Sequence, residues 1–301
     1  MKYIPSYCHQ LLVTLCLACL PLLQYAQTRR ALLIGLSHYE TGWTSGVWPD
    51  IHGAHDARLL ERALRQQQFT DITLLVNHQA TCAHILQQIA ALAARTQPGD
   101  IIFFHFSGHG QPYEDIDGDE GPDDGWDESL VPYDAARLFL PGEYEGQCHL
   151  TDDHLYTLFN TLRRQAGARG EVYAVIDACY SGSSMRGDSD TASVTPSVVG
   201  FCLHGYRPYA PRRKASSFRQ LPSEPGSAPI VALQSSMPYQ RSREITVGGQ
   251  PCGPLTHYVV ASLQKNTIGS GTAWIRSALQ LFRSDRRLYR QQVYCESSIP
   301  L

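Results

Sequence analysis

The sequence predicts an α/β fold, a mostly parallel sheet with helices on both faces, and three observations point there. Short apolar runs bounded by turn residues recur along the chain. Stretches with apolar residues at three- and four-residue spacing lie between them. The runs are continuously apolar rather than alternating, the pattern of strands buried on both faces. In such sheets, ligands bind beyond the carboxyl ends of the strands.

The strands read as Ala31 to Leu36, Ile72 to Val76, Ile101 to Phe106, Val172 to Asp177 and Ile230 to Gln234, each rich in Ile, Leu, Val or Phe. The first helix spans roughly His52 to Gln67, on Ala54, Ala57, Leu60 and Leu64. A second covers Thr81 to Arg95, on Ile85, Ile89 and Leu92, and stops at Pro98-Gly99. Further helices lie near Asp152 to Arg164, Leu255 to Gln264 and Thr272 to Phe282. Two segments break the rhythm. Gln111 to Cys148 is acidic at first and punctuated by Gly and Pro, and Ser183 to Pro229 is rich in Ser, Pro and Arg. Loops of this length inside a domain are functional or mobile, and 183–229 is expected to be mobile.

With 301 residues, 43% hydrophobic and 18% charged, the chain has material for one large core or two small ones, which excludes disorder of the whole. A net charge of −3 provides no basic stripe to neutralise a phosphate backbone, so nucleic acid is not an expected partner. Residues 1–26 stand apart, with Lys2, an apolar run from Leu11 to Leu23 and a small residue at Ala26. The run is shorter than the roughly 20 residues of a membrane span, and reads as a secretory leader cut after Ala26. That leaves a domain over 27–301, exported to a periplasmic or extracellular space, without a membrane span and monomeric. Lipid attachment at Cys19 is the weaker alternative. Six of the nine cysteines lie beyond the leader, at Cys82, Cys148, Cys179, Cys202, Cys252 and Cys295, and none forms a CxxC pair. An oxidising compartment would permit bridges among them.

The chemistry concentrates at two strand ends. IIFFHFSGHG places His109 between glycines just past one apolar strand, and VYAVIDACYSG places Cys179 just past another. If these strands are neighbours, thiol and imidazole face one cleft. An imidazole beside sulfur can assist deprotonation of the thiol and then protonate a departing amine. The backbone N–H groups of Gly110 and Cys179 could aim at a developing oxyanion. Cys82 and Cys148 follow no buried strand at that edge and are poor rivals for the nucleophile.

The boxes SGHG and DACYSG resemble those of caspase-like cysteine peptidases, closest to metacaspases and their bacterial relatives. ALLIGLSHY, DESLVPYD, LTDD, ALQSS and GPLTHYVVASL carry the resemblance along nearly the whole domain. The resemblance implies a three-layer sandwich on a six-stranded sheet, and an endopeptidase cutting after Arg or Lys. It maps the pocket acids to Asp56 and Asp177 and the third pocket position to Ser107. Two carboxylates at the base of a cleft would hold a guanidinium through charge-assisted hydrogen bonds. It also implies an activating calcium ion on Asp127, Asp152 and Asp153, and no organic cofactor. At the fourth family position stands Arg186, with Asp188 nearby as a substitute. The acidic run from Asp115 to Glu128 is not an EF-hand, since Glu120 occupies the glycine position and Trp126 the final acid position. Arg207, Arg212, Arg213, Lys214 and Arg219 follow the nucleophile, where maturation cuts fall in caspase-like enzymes. Two other readings stand beside this one: a Cys peptidase with a different P1 preference, and a non-catalytic module that binds calcium or a basic peptide.

Overall fold

The structure, a computed structural model, describes residues 27–44, 46–116, 126–178, 200–203, 216–237, 240 and 242–301. Each of the five apolar runs forms a strand of the central sheet: β1 (Arg29–Gly35), β2 (Asp71–Val76), β3 (Ile101–Ser107), β7 (Glu171–Asp177) and β9 (Ile230–Gln234). Three short strands lie between β3 and β7, namely β4 (Gly110–Glu114), β5 (Trp126–Leu130) and β6 (Leu150–Thr151). Two more elements, β8 (Phe218–Gln220) and β12 (Tyr294–Ser297), complete a sheet of order β2-β1-β3-β7-β9-β12-β8. The sheet therefore has seven strands rather than six. β8 is three residues long and fully exposed, with no apolar pattern to announce it. β12 runs antiparallel to β9, and the other neighbours are parallel.

The helices are α1 (Gly53–Gln66), α2 (Cys82–Arg95), α3 (Asp152–Ala166), α4 (Pro254–Leu263) and α5 (Ala273–Ser284). Successive residues of a strand point to opposite faces, so the sheet separates two cores. Leu32, Ile34, Ile102, Phe104, Phe106, Ala174 and Ile176 meet α2 and α3 through Ile85, Leu92, Leu158, Phe159 and Leu162. Ala31, Leu33, Ile101, Phe103, Tyr173 and Val175 meet α1, α4 and α5 through Leu60, Leu64, Leu255, Val259, Trp274 and Phe282. Phe104 is fully buried edge-on to Phe159, and its truncation to Ala would cost about 3–5 kcal/mol. This alternation also decides which core a polar strand residue meets. His105, Ser107 and Asp177 share the face of Phe103 and Tyr173, toward α1 and α4.

The segment from Gln111 to Cys148, expected to be irregular, supplies β4 and β5, which join β6 in an antiparallel sheet of order β4-β5-β6. Its pairing is between pieces distant in sequence, Gly110 opposite Leu130, which local periodicity does not register. Two pieces of 183–229 are also described. Phe201 is buried and tied to β4, its carbonyl accepting from Glu114 N at 2.9 Å and its N–H donating to Pro112 O at 2.8 Å. Farther on, β8 pairs with β12. A hairpin of β10 (Ile245–Val247) and β11 (Gln250–Cys252) leads into α4. Its two-residue turn is Gly248-Gly249, with φ of 58° and 82°, the positive values such turns require. Among the described residues no helix is long and apolar enough to cross a membrane.

Candidate active site

Register brings the carboxyl ends of three strands together, because Gly35 of β1 is opposite Ser107 of β3, and Ser107 is opposite Asp177 of β7. The strand order reverses at β1 and β3, where a crevice opens in sheets of this kind. His109 lies two residues beyond Ser107. Cys179 lies two residues beyond Asp177, outside the described residues. So do Arg186, Asp188 and the basic residues from Arg207 to Lys214. The condition set by the sequence, that the two strands be neighbours, is met.

His109 is buried and held on three sides. Its ring stacks on Trp48 at 5.0 Å and 26°, and lies against Tyr39 at 5.0 Å. Its backbone N–H donates to Tyr39 Oη at 2.7 Å. Nε2 lies 2.8 Å from the Pro49 carbonyl oxygen, which can only accept, so in the neutral ring Nε2 carries the proton and Nδ1 is the basic nitrogen. Gly110 opens β4 opposite Leu130, and its neighbour bond runs from Val131 N to His109 O at 3.1 Å. The imidazole is thus fixed in rotamer and tautomer before any substrate arrives.

Asp56, Ser107 and Asp177 come together on the α1/α4 side, all fully buried. Ser107 Oγ donates to Asp56 Oδ2 at 2.6 Å. Gly253 N donates to both Asp56 oxygens at 3.0 Å. Thr256 N donates to Asp177 Oδ2 at 2.9 Å. Gly253 is the N-cap of α4, so both carboxylates sit at that helix's amino terminus, where free N–H groups and the helix dipole favour negative charge. A side chain at Gly253 has no room, since its Cβ would fall 2.2 Å from Asp177 Oδ2 and 2.7 Å from Asp56 Oδ2. His105 Nε2 adds a buried contact to Thr256 Oγ1 at 3.0 Å. Burial, together with the Asp56 and Asp177 charges, pushes the nearby Cys252 thiol up to about 12, which makes it a poor nucleophile.

The third group, Asp127, Asp152 and Asp153, also assembles, with one carboxylate oxygen of each within 4.8 Å of the others. Asp127 comes from β5 and is buried, while Asp152 and Asp153 open α3 and become progressively more exposed. Thr151 precedes them as N-cap, but its hydroxyl contacts His154 Nδ1 at 2.8 Å and makes no cap hydrogen bond. Asp127 and Asp153 line a cavity of about 800 Å³ shared with Tyr113, Glu143, Glu145 and His149. An all-oxygen, carboxylate-rich donor set suits a hard cation such as calcium, so these residues fit the ion the resemblance implies.

The sequence alone did not single out Tyr39, Trp48, Pro49, Gly253 or Thr256. For α4 a signal was present, because Gly253-Pro254 is the N-cap and N1 pattern of a helix start. Nothing local marks Tyr39, Trp48 or Pro49, which reach His109 from some 60 to 70 residues away.

The fold and much of the sequence recur in known proteins. A protein of Geobacter sulfurreducens has the same fold, with a TM-score of 0.59 over 91% of this chain and 95% of that one at 17% identity. Metacaspase-1 of Pyricularia oryzae is 27% identical over 81% of this chain and 66% of its own length. Metacaspase-1A of Aspergillus niger is 26% identical over 79% of this chain and 63% of its own. The chain thus spans a little under two thirds of these relatives. The family description "Metacaspase, peptidase C14 domain" matches residues 29–187, from β1 through the end of β7 and past Cys179, which is more than half of the sequence. By that match the chain belongs to the metacaspases, a family of cysteine peptidases.

Proposed function

We propose that the protein is a cysteine endopeptidase cleaving after Arg or Lys, with Cys179 as nucleophile and His109 as its acid–base partner. The observation that carries this reading is the fixed His109 at the end of β3, next to the strand from which Cys179 follows. In the proposed cycle, His109 Nδ1 takes the Cys179 thiol proton, and the thiolate attacks the scissile carbonyl. The Gly110 and Cys179 N–H groups receive the oxyanion, a contribution of about 3–4 kcal/mol in comparable sites. His109 then gives its proton to the leaving amine, and water releases the acyl group from sulfur. The Pro49 carbonyl favours the imidazolium formed in between.

Asp56 and Asp177 are proposed as the readers of the basic side chain. A helix terminus supplies about half a positive charge, whereas the two carboxylates bring two negative ones. The remaining charge favours a guanidinium or ammonium, and screening by salt is weak at buried sites. Calcium, when bound, would supply the positive charge that lets Asp127, Asp152 and Asp153 stay close. By holding it, those residues would tie β5 to the start of α3.

Hydrolysis of matched Arg, Lys and Asp fluorogenic peptides, with calcium or chelator, by wild type and Cys179→Ala tests the proposal. Turnover of Arg and Lys substrates by wild type alone is expected. Turnover after Asp only would refute the pocket, and no turnover by reduced, calcium-loaded protein would favour a binding module. The complete burial of Asp56 and its bonds to Gly253 favour a second reading, in which the acid pair only caps α4. Asp56→Asn separates the two, because the amide can still accept from Gly253 N but carries no charge.

A further inference from the structure

Outside the site just described, two cysteines face each other. Cys82 is the first residue of α2, and its N–H donates to Asp134 Oδ1 at 2.8 Å. Its Sγ lies 3.8 Å from the carbonyl oxygen of Gln147, the residue before Cys148. That places the Cys82 thiol beside Cys148, with which it interacts electrostatically, and Cys148 packs half-buried on the core to which Cys82 belongs. The same two pieces of chain are joined again by Tyr133 N donating to Ala80 O at 2.9 Å. Two other described cysteines are placed differently: Cys252 and Cys295 are buried thiols pushed up to about 12, mainly by desolvation.

We propose that Cys82 and Cys148 are a site of covalent cross-linking by a disulfide. Two features favour reaction here. Contact between the thiols lets one give up its proton while the other donates a hydrogen bond to the sulfur left behind, and this lowers Cys82 from its ordinary value. The N-terminus of α2 adds its dipole to the same effect. Cys148 is the more accessible of the two, so it meets the oxidant first.

The oxidant is a disulfide, small or protein-borne. Cys148, giving its proton to the Cys82 thiolate beside it, attacks one of the oxidant's sulfurs, forming a mixed disulfide and releasing one thiolate. The Cys82 thiolate then attacks Cys148 Sγ and releases the second. Two protein thiols and one disulfide become one protein disulfide and two thiols, the protons passing to the departing sulfurs. The loop so closed runs from α2 through β3, His109, β4 and β5 to the residue before His149. The bridge would fix the strand that leads to Asp152 and Asp153 against α2, leaving the Cys179 thiol outside the exchange.

The test is peptide mapping of the full chain, equilibrated in reduced and oxidised glutathione and then alkylated, in wild type and in Cys179→Ala. A Cys82–Cys148 cross-linked peptide is expected as the main oxidised species, with a Tm about 5–10 °C above that of reduced protein. Cys148→Ser should abolish both, and Cys82→Ala should do the same if the first variant does not fold. Recovery of Cys82 and Cys148 as separate alkylated or glutathione-bearing peptides from folded oxidised protein would overturn the proposal. So would a cross-link that forms in urea-unfolded chains but not in folded protein under the same glutathione mixture.

Discussion

Two groups of aspartates stand at opposite ends of one design problem, how to keep like charges close together. Asp56 and Asp177 are sealed and satisfied by fixed donors of the protein itself: Ser107 Oγ, Gly253 N and Thr256 N. Asp127, Asp152 and Asp153 grade from buried to exposed, with one carboxylate oxygen of each within 4.8 Å of the others, and Asp127 and Asp153 line a cavity. The first arrangement is preorganised by hydrogen bonds of the fold. The second gathers more charge than the start of α3 offsets, and on the proposed reading a cation from outside would complete it. Carboxylates of one chemical type thus take different roles, set by whether the fold itself supplies their hydrogen-bond donors.

The largest effect should come from filling the space between the sealed pair. Gly253→Ala puts a carbon where two carboxylate oxygens already meet, so either α4 or the carboxylates must move. Overpacking of this kind costs about 1–3 kcal/mol or more, read as a lower urea midpoint with unchanged m-value. Asp177→Asn should come next. If the pair reads a basic side chain, kcat/KM for Arg peptides falls about 100-fold or more, with little change in urea stability, because the amide still accepts from Thr256 N. An equal loss of stability and activity would instead assign the pair to capping. The open group should respond only through its ion. Asp127→Asn is expected to weaken calcium binding in calorimetry about tenfold or more, and Asp153→Asn less, because Asp153 is exposed and screened by water.

How much of this was legible in sequence divides along the same line. Runs such as IIFFHF and VYAVID announce buried strands because the signal is local, and all five recur in the sheet within two residues of their expected ends. The pocket residues were reachable through the family resemblance, Ser107 and Asp177 at the ends of β3 and β7 and Asp56 on α1. That Asp56 and Asp177 would meet at the start of α4 was not legible, since Gly253 lies almost 200 positions from Asp56 in sequence. The pairing of β4 with β5 was hidden for the same reason, as was the hold of Pro49 on His109. Strand formation is written in neighbouring residues, whereas charge compensation is written in tertiary contacts.

The smallest effect expected concerns the wall behind the open group. His149 is buried against that cavity, Nε2 3.0 Å from Gln111 Oε1 and Nδ1 2.8 Å from Tyr144 Oη. The Gln111 oxygen accepts from Nε2–H and the tyrosine donates to Nδ1, so both ring nitrogens are satisfied in the neutral form. Desolvation pushes this imidazole down to about 3. The sign follows from proton counting. Below the ordinary value of 6.5 the unfolded chain binds a proton that the folded one refuses, so the stabilising contribution is full above 6.5 and is lost as pH falls toward 3. The slope for this one group is at most about 1.4 kcal/mol per pH unit. His149→Gln can keep a donor toward Gln111 and an acceptor toward Tyr144 while removing the titration. Its urea stability should be lower by about 1–2 kcal/mol at pH 7.5, and should converge with or cross that of wild type by pH 4.5. Parallel stability curves for the two proteins over that range would mean that His149 takes up its proton in the folded state. The cavity wall behind the open acids would then carry charge, and the contrast between a sealed pair with its own donors and an open group awaiting a cation would weaken.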